Sequence, residues 1–437
     1  YFFSPFYFCF AFMNGIKNLL YELIMSSKIP AFQLQTSFKV DYAPASVKKW
    51  RSSRTGLQLI VIDQESPIVN GYFAVATEIK NDSGSPHTLE HLIFMGSKKY
   101  PYKGLLDILG NLSYSSTNAW TATDQTVYTL TTAGWDGFRM LLPIYLDHLI
   151  NPTLTDEACY TEVYHVDGSA KDKGVVYSEM QAIESQGWFL SGLETQRTLY
   201  KVSGYKSETG GLTSNLRTLT NDEIREFHKQ NYRSDNLSII ITGSINEAEF
   251  LETMETFDKE LPDLPSIPLK RPFVDSEQDK PLTKRVAKTV EFPDKDESSG
   301  DVSLSWIGPD IKDVVTAQAV DVLGSYLTKS SISLFNKTFI EIDNPLATSA
   351  SFSTDDYIHT GMNVYLGSVP VAELETLSEK VLKLIEEHAS NPKDFDLVRI
   401  RDLLEQTKWK FIFSCENSSE GLADISILDF LYGETDG

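Results

Sequence analysis

Apolar and polar positions along the chain follow two periods, and each change of period marks an element. Residues 57–63, Leu-Gln-Leu-Ile-Val-Ile-Asp, are β-rich and predict a strand, and a second strand over 71–79 follows the turn residues Pro67 and Asn70. Segments 126–131 and 237–242 read the same way. Apolar residues at three- and four-residue spacing predict helices over roughly 86–95, 135–150, 174–200, 221–231 and 246–259. Strands and helices mix without the regular alternation of a doubly wound parallel sheet, which makes the fold class α+β.

Between 262 and 293 the periodicity fades and six prolines (262, 265, 268, 272, 281 and 293) appear among many charges. This composition predicts an interdomain linker over 265–292. Beyond it the order of elements restarts: a strand at 302–306, a helix near 314–327, β-like segments through 366, then helices near 371–388 and 394–412 that close the sequence. The expected organisation is a first domain over 29–264 and a diverged, incomplete second copy of its plan over 293–437. The aromatic residues 1–13 lack the basic region and small-residue cleavage site of a secretory signal. Met25 is a plausible start, so 1–28 is treated as an uncertain extension, with an interfacial anchor as the alternative. No stretch reaches the roughly 18 apolar residues of a membrane span, and no membrane partner is expected.

The 437 residues are 41% hydrophobic and 23% charged, ordinary for a chain with real cores. Lysine and arginine total 39 against 61 acids, a net charge of −22, which argues against nucleic acid as a main partner. The cysteines, Cys9, Cys159 and Cys415, are odd in number and share no motif spacing. They read as reduced thiols, which suggests the cytoplasm, with the mitochondrion as the alternative.

Candidate chemistry concentrates at His87-Thr88-Leu89-Glu90-His91. Ser85 before Pro86 reads as an N-cap ahead of a first-turn proline, and Gly96 as the C-terminal stop. At about 100° per residue, His91 lies about 40° from His87 and Glu90 about 60° to the other side, so all three share one arc. Two imidazoles one turn apart can ligate zinc, and the adjacent carboxylate can act as general base on water: the inverted His-x-x-Glu-His motif. The bland reading is an amphipathic helix with two surface histidines. A third ligand is sought in Gly174-Val175-Val176-Tyr177-Ser178-Glu179-Met180. There Glu179 has Val175, Val176, Met180 and Ile183 at neighbour spacings, so its face is expected to be buried and a metal would relieve its charge. Glu184 and Asp172 sit on other faces. His148, His165, His228, His359 and His388 read as surface or satisfied core residues, and the helix near 314–327 carries no histidine, so one zinc ion per chain is expected.

With these residues, the sequence resembles the pitrilysin/insulinase family of inverzincins, in particular the long-chain branch of the presequence proteases and their cytosolic relatives. The resemblance rests on 87–91 with Gly96-Ser97-Lys98-Lys99-Tyr100-Pro101, Thr117-Asn118-Ala119-Trp120-Thr121, the 174–180 run, Ser203-Gly204-Tyr205, Glu208-Thr209-Gly210-Gly211, and Phe227-His228-Lys229 with Tyr232 and Asn236-Leu237. It covers about 30–265 with ordered motifs and the remainder weakly, as an inactive second repeat. It implies two domains of largely antiparallel sheet with packed helices, the second truncated. It further implies a zinc endopeptidase that hydrolyses unfolded peptides, with His87, His91 and Glu179 on the metal and Glu90 as base. Asn118 and Ala119 would lie on the edge strand that holds extended peptide. A C-terminal half, which in the family completes a peptide chamber, is expected as partner. The alternative is a non-catalytic scaffold of the same fold.

Overall fold

In the computed structural model, residues 31–417 and 420–434 are described; the expectations for 1–28, with Cys9 and Met25, lie outside them. The chain opens with four strands, β1 (Phe32–Lys39), β2 (Ala45–Ser52), β3 (Gln58–Gln64) and β4 (Val69–Ala76), followed by helices α1 (Ser85–Ile93) and α2 (Leu105–Leu112). The hairpin β5 (Ser115–Thr121) and β6 (Gln125–Thr132) leads to α3 (Trp135–Ile150), α4 (Asp156–Glu162) and a two-residue ribbon, β7 (His165–Val166) with β8 (Asp172–Lys173). Then come α5 (Val175–Ile183), α6 (Gly187–Leu199), α7 (Thr213–Leu216), α8 (Asn221–Asn231), β9 (Leu237–Thr242) and α9 (Glu247–Glu260). One sheet gathers the order β1-β2-β3-β9-β4-β6-β5. Its pairings are antiparallel except for β3 beside β9.

Both faces of this sheet are covered, which is why its central strands read as continuous apolar runs. On one face Leu59, Val61, Phe73, Val75, Tyr128, Ile239 and Ile241 pack against Leu89 and Leu92 of α1, Phe138 and Leu142 of α3 and Phe250 of α9. On the other, Ile60, Ile62, Tyr72, Ala74 and Ile240 meet Tyr205, Phe273 and residues from far along the chain.

After 298 the chain forms β10 (Ser299–Asp310), α10 (Val314–Thr328), β11 (Ser349–Asp355), β12 (His359–Pro370), α11 (Leu374–Ala389), α12 (Leu397–Asn417) and α13 (Glu420–Tyr432). A second, three-stranded antiparallel sheet runs β10-β12-β11. Val302, Leu304, Val364 and Leu366 pack there against Tyr326 of α10 and Leu377 and Val381 of α11. No helix among the described residues is long and apolar enough to cross a membrane.

The structure departs from the sequence reading in several places, among them the short helices α2 and α4, which were not expected. Strands β1 and β2 were not expected, because β1 is an edge strand with only Phe32 buried and β2 carries Lys48, Lys49 and Arg51. The helix expected over 174–200 is broken: Gln186 is extended, and Glu184 accepts a bond from the Thr213 amide (3.1 Å) instead of continuing into α6. A further helix, α13, lies beyond the last one expected. Its Leu422, Ala423, Ile427, Leu431 and Tyr432 are buried against the first sheet, so the 293–437 segment is not confined to the second. The 265–292 segment has no helix or strand, yet it is strapped down. Phe273 is buried, and Asp279 accepts from the amides of Lys201 (2.5 Å), Val202 (3.0 Å) and Ser203 (2.9 Å).

Because Ile240 lies at the centre of the sheet with no exposed surface, Ile240→Ala is expected to cost about 2–5 kcal/mol in urea unfolding, with little change in slope.

Candidate metal centre

Helix α1 begins where two backbones touch. The sequence reading made Ser85 the cap, but the cap is Gly84, in the left-handed region at φ +73°, and Ser85 is the first helical residue. A Cβ on Gly84 would lie 2.7 Å from both the Gly210 carbonyl oxygen and the Gly211 Cα. No side chain fits between these strands of backbone, so the loop after α6 presses directly on the helix start. Leu89, Leu92 and Ile93 point into the core, which leaves His87, Glu90 and His91 on the outward arc. The helix ends at Ile93, with Gly96 at φ +126° just beyond.

Helix α5 is seated in a similar way: a Cβ on Gly174 would fall 2.2 Å from the Val163 carbonyl oxygen at the end of α4. Val176, Tyr177 and Met180 are its buried side. The Tyr177 hydroxyl donates to Asp172 (3.1 Å) and accepts from Arg217 (2.5 Å), while Arg217 also pairs with Asp172 (3.0 Å). Asp172 and Glu184, on other faces than Glu179, therefore fasten this helix to its surroundings.

The two helices bring His87, His91 and Glu179 together. Each histidine Nε2 lies 3.4 Å from the same Glu179 oxygen, and the ligand atoms all fall within 4.8 Å of one another. Among the described residues this is the one group of three or more such side chains placed to hold a metal ion. Glu179 is nevertheless not buried as the sequence reading expected. Its side chain is 50% exposed, because the short α5 turns Val176, Tyr177 and Met180 inward instead and leaves Glu179 at the rim.

The imidazoles are oriented from behind. His87 Nδ1 donates to the Gly210 carbonyl (3.3 Å), which leaves the Nε2 lone pair toward Glu179. His91 Nδ1 faces Glu162 at 3.9 Å, and Glu162 pairs with Lys103 (3.1 Å). Burial, followed by the neighbouring His91, lowers the His87 pKa and favours its neutral form. Glu90 is pushed upward, mainly by burial, although the Thr121 hydroxyl donates to its carboxylate at 2.5 Å. Beneath lie the buried hydroxyls of Tyr128 and Tyr232, 2.6 Å apart.

Asn118 and Ala119 lie on β5, the terminal strand of the sheet, opposite Thr129 and Tyr128 of β6. They neighbour the site through Thr121 of the same strand. The other histidines have local partners: His148 on the Ile144 carbonyl (2.8 Å), His165 on the Tyr160 carbonyl (3.0 Å) and His228 on the Leu149 carbonyl (2.9 Å). His388 packs on Phe395, ring centres 4.6 Å apart, and His359 lies opposite Asp310 in the second sheet. Three supporting groups escaped the sequence reading. Thr121 and Gly210 stood in the quoted motifs without a role, and Glu162 carries no local signal at all.

Known proteins resemble this chain in sequence and in fold. The family model for insulinase (peptidase family M16) matches residues 76–186, and that for the peptidase M16 inactive domain matches 218–404. All of His87, Glu90, His91 and Glu179 fall in the first match. An uncharacterized protein of Saccharomyces cerevisiae is 52% identical over 93% of this chain and 40% of its own length. The mitochondrial presequence protease of Schizosaccharomyces pombe is 27% identical over 73% of this chain and 33% of its own. A protease from Helicobacter pylori shares the fold, with TM-score 0.71 at 17% identity over 94% of this chain and 91% of that one. The chain spans about two fifths of the length of the curated relatives it matches.

A Cβ on Gly84 would meet the backbone of Gly210 and Gly211, which has no side-chain freedom with which to yield. Gly84→Ala is thus expected to displace the carbonyl behind His87 and weaken metal affinity about 10–100-fold, read by competition with a chromogenic chelator.

Proposed function

We propose, since the chain belongs to the insulinase family of peptidases (M16), that it hydrolyses peptide bonds with one zinc ion held by His87, His91 and Glu179. The carrying observation is the convergence of two imidazole Nε2 atoms on one oxygen of Glu179, 3.4 Å from each. Two nitrogens and a carboxylate oxygen are a zinc-type donor set, and three protein ligands suit a catalytic rather than a structural site. The neutral form of His87, favoured by burial, keeps a lone pair available. When bound, zinc would supply Lewis acidity, polarising the scissile carbonyl and acidifying water.

Glu90 is the proposed general base. Its carboxylate is made more basic by burial and is fixed in orientation by the Thr121 hydroxyl. It takes the proton from the attacking water and returns it to the leaving amine. Extended peptide would add to the outer edge of β5 along Asn118 and Ala119, so that main-chain bonds bind many sequences. Unfolded peptides are therefore the proposed substrates. The cytoplasm is the proposed compartment, with the mitochondrion as alternative.

Residues 29–264 would form the catalytic domain, 265–292 a strapped linker and 293–437 an inactive repeat without the metal set. A further half, completing a chamber around the peptide, is the proposed partner, in keeping with relatives whose chains extend well beyond the matched region. The competing reading, a scaffold that has kept the fold, predicts no zinc-dependent hydrolysis.

Purified protein should carry about one zinc per chain by plasma mass spectrometry, reduced in His87→Ala or His91→Ala. Glu90→Gln should keep the metal and lose about 10²–10⁴-fold in hydrolysis of a quenched peptide. Full activity in that variant would reject Glu90 as base. On acidification, protons compete with zinc for the imidazoles. Because the His87 pKa is lowered from 6.5, its protonation and its contribution to zinc loss should come at lower pH than for an ordinary imidazole, as read by zinc content between about pH 5 and 8.

A further inference from the structure

The sheet face opposite α1 holds a buried chain of hydroxyls that ends on the hairpin beside the proposed active site. Tyr205, in the Ser203-Gly204-Tyr205 motif, lies between two rings: Phe273 at 4.1 Å and Tyr357 at 4.0 Å, tilted by 26° and 22°. Its hydroxyl accepts from the Ile358 amide (2.9 Å) and lies 3.0 Å from the Tyr432 hydroxyl. Tyr432, in the last turn of α13, donates to the carboxylate of Asp124. All of Asp124, Tyr205 and Tyr432 are buried. The direction of the chain follows from its ends. An amide can only donate and a carboxylate only accept, so Tyr205 donates to Tyr432 and Tyr432 to Asp124. Burial pushes the Asp124 carboxyl up to about 6, which leaves it ionised at neutral pH and makes this a charge-assisted bond.

Asp124 sits in the turn between β5 and β6. Its carbonyl accepts from the Thr77 amide (2.9 Å), and the neighbouring Thr123 hydroxyl lies 3.5 Å from the Tyr357 hydroxyl. Three residues before Asp124, Thr121 holds Glu90. The same turn thus touches the sequence-distant Tyr357 and Tyr432 on one side and the site on the other. Removing Tyr432 would leave a buried carboxylate without that donor, a costly arrangement that the turn can relieve by moving.

We propose that Tyr432 is a positioning residue: through Asp124 it clamps the β5–β6 hairpin and thereby fixes Thr121, Glu90 and the peptide-binding edge. The part of the chain that lacks the metal set would thus supply a strut for the part that has it. Only the kinetic consequence rests on the peptidase reading; the clamp itself does not.

The test is hydrogen exchange by mass spectrometry on the zinc-loaded full chain. In Tyr432→Phe, amides within 115–132 should exchange about tenfold faster, while those of β3 and β9 keep their wild-type rates and zinc content is unchanged. Asp124→Ala should reproduce this pattern, and Asp124→Asn, which keeps an acceptor for Tyr432, should restore wild-type exchange. Tyr365→Phe, a hydroxyl loss in the second sheet, should leave 115–132 unaffected. For hydrolysis of a quenched peptide, kcat should fall about tenfold in Tyr432→Phe with KM changed less than about twofold, and Asp124→Asn should recover it. Unchanged exchange over 115–132 in both Tyr432→Phe and Asp124→Ala would overturn the clamp, as would acceleration spread evenly over the first sheet. A zinc-loaded wild type that hydrolyses no peptide, with the exchange pattern as expected, would instead overturn the peptidase reading and leave the clamp standing.

Discussion

Two helices far apart in the chain can aim side chains at one point only if the backbone around them comes unusually close. Here that closeness is reached at glycines. Gly84, at the start of α1, rests on Gly210 and Gly211, and Gly174, at the start of α5, rests on the Val163 carbonyl. A methyl group on Gly84 or Gly174 would run into backbone, so the start of that helix would have to shift. The same contact that brings α1 against the 208–211 loop also brings the Gly210 carbonyl behind His87. One packing constraint therefore sets both the separation of the donors and the orientation of an imidazole.

Charge makes the arrangement chemically pointed. Glu90 and Glu179 both bear on His87, while burial works against charge on the imidazole and on Glu90. A neutral imidazole and a carboxylate whose charge burial disfavours form an environment that a divalent cation relieves and a solvated helix face would not need. The sheet beneath is buried on both faces, and much of that second covering comes from residues late in the chain. Helix α13, Ile307 and Phe273 close a surface that would otherwise be open.

The site and much of the fold were legible because their signals are local. A histidine pair at a spacing of four with a glutamate between needs only helical periodicity to share an arc, and the central strands announce themselves by continuous apolar runs. Glu179 was singled out for a reason that the structure overturns. Apolar neighbours suggested a buried face, whereas the carboxylate is half exposed and α5 buries another side. Edge strand β1 was missed although Phe32, Leu34 and Phe38 alternate with polar residues; six of its eight residues are exposed, so this alternation marks no buried face. Helix α13 was missed because it is apolar around much of its circumference, and such a segment shows no clear period.

What the sequence determined by itself is the chemistry on offer: which helix carries two imidazoles and a carboxylate on one arc, and which later segment could add a third ligand. Local periodicity and cap chemistry suffice for that, since they act over a few residues. Only the tertiary structure decided that Glu179 reaches both histidines, that Thr121, Gly210 and Glu162 stand beside Glu90, His87 and His91, and that α13 closes the far face of the first sheet. Those relations join residues tens to hundreds of positions apart. They are set by backbone contact and by the burial of polar groups that must find partners, and no local pattern records which partner each one found.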